Sequence, residues 1–296
     1  MTAFLFILIS LVLLYFFLSS LIYLNSNVFA IGTSIVDRFG IIQIYPTKLA
    51  GEQWFMNMTD PNHDIQTFPP LLTKNADGSW KANSSKVRYD VYTSAGFHPK
   101  LITTLNETVL QSKGYMQSPN DWKNIEMTGI VKFNSGDYTN HWTWYARGGV
   151  HTLSIPCEGT SYKEGLNYDG KNVKIAKEQW HVLYVFSKSN STSISISSLG
   201  KFIGFKAIMY NFVLNNKTAV KLEMWLDTNL NNNWQRVFSF TDSGGFGNSA
   251  KRCGGAPDQI ITWGGPVATF RWDNAKEVDI KNFSIREIQP PPLPPI

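Results

Sequence analysis

The first segment with chemical potential is Arg147-Gly148-Gly149-Val150-His151-Thr152. Two glycines let the backbone approach a ligand closely, and an imidazole titrating near neutrality serves as a general base. On an extended strand Arg147, Gly149 and His151 share one face, which places the Arg147 guanidinium to neutralise a carboxylate. The plain alternative is a histidine satisfied at a sheet edge. A second segment runs from Gly204 to Asn211. Strand alternation sets Phe205, Ala207 and Met209 on one face and Gly204, Lys206, Ile208 and Tyr210 on the other. Lysine and tyrosine together on one face suit a surface that holds an acidic sugar; an ordinary exposed face is the alternative. A third segment, Asp227 to Trp234, carries side-chain oxygens at Asp227, Asn229 and Asn231, as calcium loops do. It has one carboxylate and lacks the glycine and closing glutamate of an EF-hand. A hairpin loop is the preferred reading, since asparagine tolerates left-handed backbone.

Taken in order, a strand bearing Glu126, then Gly149-Val150-His151, then Phe205-Lys206-Ala207-Ile208-Met209-Tyr210-Asn211 resembles the alginate-lyase-type polysaccharide lyases. That family has a concanavalin-like jelly-roll fold. Its motifs are an Arg-x-Glu-x-Arg strand, a Gln-Ile/Val-His strand and a Tyr-x-Lys-x-Gly-x-Tyr-x-Gln strand. The resemblance implies β-elimination on a uronic-acid polymer, with His151 as base and Tyr210 as acid. It implies substrate contacts from Lys206 and Glu126, with Arg147 replacing missing carboxylate donors. The departures are Gly149 at the glutamine position, Asn124 and Thr128 at the arginine positions, and Ile208 at the motif glycine. Carboxylate neutralisation lowers the barrier to α-proton removal, so those losses weaken the catalytic case.

The elements that must position these residues are short strands. Runs at 87–92, 126–133, 141–146, 181–186, 202–210, 221–226, 235–240 and 278–288 alternate or are rich in strand formers, and Gly, Asn, Asp and Ser punctuate them. That pattern predicts a β-sandwich or barrel. Composition agrees: the 296-residue chain has 19 Phe, 12 Tyr, 10 Trp and 22 Gly but only 17% charged residues, against about 25% in ordinary domains. A long helical bundle is excluded. The glycine-rich region from Gly244 to Pro266, with Trp263, could stack on sugar rings, although Trp142, Trp144, Trp225, Trp263 and Trp272 are expected mostly in the core. The net charge of +5 contains no basic block, so no nucleic-acid partner is expected. No P-loop, dinucleotide fingerprint, His-Glu-x-x-His or Cys-x-x-Cys pair occurs. No cofactor is expected, a calcium ion at Asp227, Asn229 and Asn231 being the one exception considered.

From Phe4 to Leu24 the chain is almost wholly apolar, and at about 1.5 Å per residue it would span roughly the 30 Å of a bilayer core. Residues 1–30 are therefore read as a signal peptide cut after Ala30 or as an uncleaved membrane-anchoring helix. The absence of a basic amino-terminal region keeps the anchor open. Six Asn-x-Ser/Thr sequons, at Asn57, Asn83, Asn106, Asn190, Asn216 and Asn282, fit export. Cys157 and Cys253 are the only cysteines; a disulfide is favoured over two buried thiols. The expected organisation is an extension at 31–85, a jelly roll at 86–288 and a polyproline tail at 289–296. The expected function is an exported or cell-surface, glycosylated, polysaccharide-binding protein. A lyase and a structural surface protein are the alternatives.

Overall fold

The computed structural model describes residues 36–93, 122–149, 151–154, 156–186, 189–192, 194, 197–248 and 250–292. The apolar run at 4–24, the Asn106 sequon and the end of the proline tail lie outside the described residues. No described helix is long and apolar enough to cross a membrane.

The chain divides into two compact units between Gln43 and Ile44. In the first, residues 36–43 form a tight turn closed by a Val36–Ile42 bridge. Asp37 Oδ1 braces it, accepting the Phe39 and Ile41 amides at 2.8 and 3.0 Å.

The second unit is all-β, two antiparallel sheets packed face to face, and no α-helix occurs among the described residues. Its strands are β1 (Gln53–Phe55), β2 (Thr67–Phe68), β3 (Leu72–Lys74), β4 (Trp80–Ala82), β5 (Lys86–Tyr92), β6 (Ile125–Gly136), β7 (His141–Gly148) and β8 (Ser161–Asn167). They continue as β9 (Asn172–Trp180), β10 (Leu183–Phe186), β11 (Asn190–Ser191), β12 (Ile203–Leu214), β13 (Lys217–Asp227), β14 (Gln235–Asp242), β15 (Val267–Asp273) and β16 (Ala275–Glu287). Sheet I has the order β14-β13-β12-β6-β16-β4-β3, with β1 also on β16. Sheet II has the order β10-β9-β8-β7-β15-β5-β2, with β11 also on β9. The 31–85 extension thus supplies edge strands to both sheets.

Alternation puts one apolar row of each strand between the sheets. Trp144 of β7 meets Phe205 of β12 with ring centroids 4.4 Å apart, and Phe270 of β15 stacks on Phe283 of β16 at 4.4 Å. As expected, Trp142, Trp144, Trp263 and Trp272 are buried, while Trp225 is half-buried. One polar network also crosses the interior: Tyr162 of β8 and Lys177 of β9 donate to Asp242 of β14, at 2.5 and 2.7 Å. A buried charge survives only when paired in this way. Cys157 and Cys253 form a disulfide, their Cα atoms 5.5 Å apart, that ties the loop after β7 to the loop after β14.

Candidate functional site

The residues singled out by the family resemblance do not meet in one groove. Lys206 and Tyr210 of β12 and Glu126 of β6 lie on the outer face of sheet I, whereas His151 lies at the end of sheet II. Alternation along β12 is as expected: Phe205, Ala207 and Met209 enter the main core, and Ile208 and Tyr210 pack on the opposite side. That opposite side is roofed. The Ile44 amide donates to Glu126 Oε2, Arg286 donates to Thr47 Oγ1, and the Trp234 ring lies 4.4 Å from the Lys206 ammonium. Beneath this cover Lys206 Nζ is 2.7 Å from Glu126 Oε1 and Arg286 reaches Glu126 Oε2 at 2.9 Å. Burial works against the Glu126 carboxylate, but Lys206 and Arg286 hold its pKa below the usual value. Glu126 and Lys206 are therefore committed to each other. Tyr210 meets Tyr45 edge to face at 5.4 Å, and burial raises its pKa.

Arg147 is likewise sequestered. Its backbone adopts φ +79°, which breaks the strand alternation that would have aligned it with His151. The side chain is fully buried and donates to Asn211 Oδ1 at 2.6 Å and the Ile261 carbonyl at 2.7 Å. The glycines beside it serve packing rather than ligand approach. A Cβ on Gly148 would stand 2.0 Å from the Thr160 carbonyl oxygen, and one on Gly149 2.3 Å from Glu158 Cγ. Asp227 acts as the brace of its hairpin loop: Oδ1 accepts the Asn229 and Asn231 amides and Oδ2 that of Asn232.

The outer face of sheet II carries a different constellation. Strand pairing aligns Arg88, Arg271, Thr143, Gly165 and Lys174 in one row across β5, β15, β7, β8 and β9. At about 4.8 Å per strand, Arg271 and Lys174 stand roughly 14 Å apart along this row, with two small residues between them. The result is a depression of about 210 Å³ lined by His141, Thr143, Lys163, Lys174, Tyr184 and Arg271, with Gly165 and Ala176 in its floor. Asp273 takes a charge-assisted pair from each arginine: Arg88 at 2.7 Å and Arg271 Nε at 2.8 Å. Burial opposes ionisation of Asp273, yet the guanidiniums keep its pKa low. Burial, with Lys174 and Arg271 nearby, lowers the His141 pKa to about 3, so it is neutral at pH 7. Desolvation lifts the pKa of Asp90, on the same face, to about 6. A larger depression of about 310 Å³, lined in part by Ile194, Ile203, Leu226 and Val237, offers Lys201 as its charged group.

His151 belongs to the sheet II face. Its Nδ1 is 2.9 Å from Glu178 Oε2, and His181 Nδ1 is 2.9 Å from Glu178 Oε1. Lys163 also presses on Glu178 Oε2 and stands 4.5 Å from both the Tyr145 and Tyr184 rings. Burial lowers the His151 pKa to about 4 and that of Lys163 to about 8. Burial disfavours the Glu178 carboxylate, but His151, His181 and Lys163 outweigh it and depress its pKa. Sequence reasoning missed Lys163, Lys174, Glu178, Tyr184 and Arg271. The period-two placement of Lys163, Lys174 and Glu178 on neighbouring outward rows was the available signal.

No protein-family model and no curated protein matches the chain. Among solved structures it is similar to the Crh5 transglycosylase in complex with NAG, with a TM-score of 0.41 at 8% identity over 86% of this chain and 92% of that one. The carbohydrate-binding module CBM66 from Bacillus subtilis gives 0.38 at 10% identity over 74% and 93%. The exoplasmic/lumenal domain of VIP36 gives 0.36 at 9% identity over 82% and 86%. Likeness at this level ties none of these proteins' ligands to this chain.

Proposed function

We propose that the protein is an exported, carbohydrate-binding jelly roll that holds an acidic sugar unit in the depression on sheet II. The observation that carries this reading is the cross-strand row in which Arg271 and Lys174 flank Thr143 and Gly165. Guanidinium and ammonium groups recognise a carboxylate, Thr143 adds a hydroxyl, and the half-buried Tyr184 offers an amphipathic ring at the rim. The strand cations on this face (Lys86, Arg88, Lys163, Lys174 and Arg271) outnumber the strand carboxylates Asp90, Asp273 and Glu178, so the bias favours an anion. At about 210 Å³ the depression is smaller than ordinary drug-sized sites and suits a single ring of a longer chain.

The partner is then an acidic polysaccharide. Export is supported by the Cys157–Cys253 bond and by the exposure of the sequon asparagines Asn57, Asn83, Asn190 and Asn216. The separation of His151 from Lys206 and Tyr210 favours binding without β-elimination. Incubation with alginate, glucuronan, pectate and a neutral glucan tests both points. Retention on the acidic polymers, with no ultraviolet absorbance from unsaturated ends, is the expected result. Appearance of that absorbance would return the chain to the lyase reading; equal retention on the neutral glucan would remove the acidic-sugar reading.

A further inference from the structure

We propose that His151, Glu178 and His181 form a binding site for a divalent transition-metal ion of the zinc class. Glu178 projects from β9, and the two histidines come from the loops that follow β7 and β9. Each imidazole turns its Nδ1 to a different oxygen of one carboxylate, both at 2.9 Å, and one ligand atom from each residue lies within 4.8 Å of the others. Ligand atoms about 2.0–2.2 Å from a common ion are themselves spaced by roughly 3–4 Å, so only a small adjustment closes the set. The two rings are T-shaped to each other at 5.6 Å. Gly159 permits this approach: a Cβ there would stand 2.7 Å from His181 Cβ and 3.4 Å from His151 Cα.

The donor chemistry selects the ion. Two imidazoles and one carboxylate suit zinc, cobalt or nickel, whereas calcium and magnesium require mostly oxygen donors. The Glu178 side chain is inaccessible, while His151 and His181 retain 12% and 17% exposure, which leaves the approach to the ion on the histidine side. Lys163 is the competitor, because its ammonium already contacts Glu178 Oε2. On metal binding it keeps the Tyr145 and Tyr184 rings, each 4.5 Å away. This inference stands apart from the sugar reading, since metal binding is measured in sugar-free buffer.

The test uses chelator-stripped protein titrated with cobalt chloride and followed by its visible d–d absorption, then with zinc chloride by calorimetry. One ion per chain is expected, with affinity reduced at least 10-fold in His151→Ala and in His181→Ala. Lys163→Met retains all three donors and removes the competing charge, so it should bind zinc several-fold more tightly. Absence of cobalt bands in the unmodified protein would overturn the site without recourse to any variant. Affinity unchanged in both histidine variants, each checked for folding by near-ultraviolet circular dichroism, would overturn it equally.

Discussion

Lys206 and Glu126 face each other across β12 and β6 at 2.7 Å, with Arg286 completing the cluster from β16. Both side chains are essentially inaccessible, at 1% and 0% exposure. Removing one partner leaves an uncompensated buried charge, which costs about 3–5 kcal/mol. Glu126→Gln should therefore lower unfolding stability by that order, because it strands two cations. Lys206→Met leaves Glu126 with Arg286 and should cost less. Urea denaturation of both variants checks the order, and sugar binding by whatever folded protein remains should be unchanged.

The Cys157–Cys253 bond closes a loop with a sequence separation of 96 residues. Cross-linking that long a loop restricts the unfolded chain by roughly 4–5 kcal/mol in the entropy model, and removal of native disulfides typically costs 2–5 kcal/mol. The double variant Cys157→Ser, Cys253→Ser should show a urea midpoint lowered accordingly. The depression on sheet II is built by strand pairing and should survive in the fraction that folds.

Glu158 gives a pH signature. Burial raises its carboxyl to about 7 in the folded protein, against an ordinary value of 4.5. The folded state therefore holds a proton that the unfolded state releases. Its contribution is full below pH 4.5 and is lost as the pH rises through about 7, a change of up to roughly 3 kcal/mol at 1.36 kcal/mol per unit. Relative to Glu158→Gln, the unmodified protein should lose stability between pH 4.5 and 7.5. Melting temperatures of the two proteins across that range measure the difference, and a constant gap would contradict it.

Gly165 tests the shape of the depression. A Cβ there would stand 3.1 Å from His141 Cδ2 and 3.2 Å from the Lys174 stem, so larger side chains fill the space between Arg271 and Lys174. Gly165→Val suits an extended backbone. It should weaken acidic-sugar binding severalfold while shifting stability by about 1 kcal/mol or less. Calorimetry with an oligouronate, paired with thermal melts, separates the two effects.

Much of the sandwich was legible in the sequence, because strands such as β5 and β13 alternate apolar and polar residues and β12 and β14 are rich in strand formers. β8 and β9 were not. Glu164 and Lys177 interrupt their apolar rows, and the Lys177 charge is tolerated through Asp242, a partner that only the fold supplies. The same effect hid the site. Lys206 and Tyr210 read as an open face, since nothing local announced that residues 44–48 and Trp234 would cover it. Arg147 read as aligned with His151, since its positive φ is set by tertiary packing around Asn211 and Ile261. The sheet II row depends on register among five strands, which one-dimensional alternation does not encode.

The proposed recognition of an acidic sugar rests on Arg271 and Lys174 acting jointly. Calorimetric affinity for a uronic-acid oligosaccharide, compared between the unmodified protein and an Arg271→Ala, Lys174→Ala double variant, tests it most directly. Loss of two charge-assisted contacts at about 1.5–3 kcal/mol each should weaken binding by at least 10-fold. An affinity unchanged by the double substitution would contradict it.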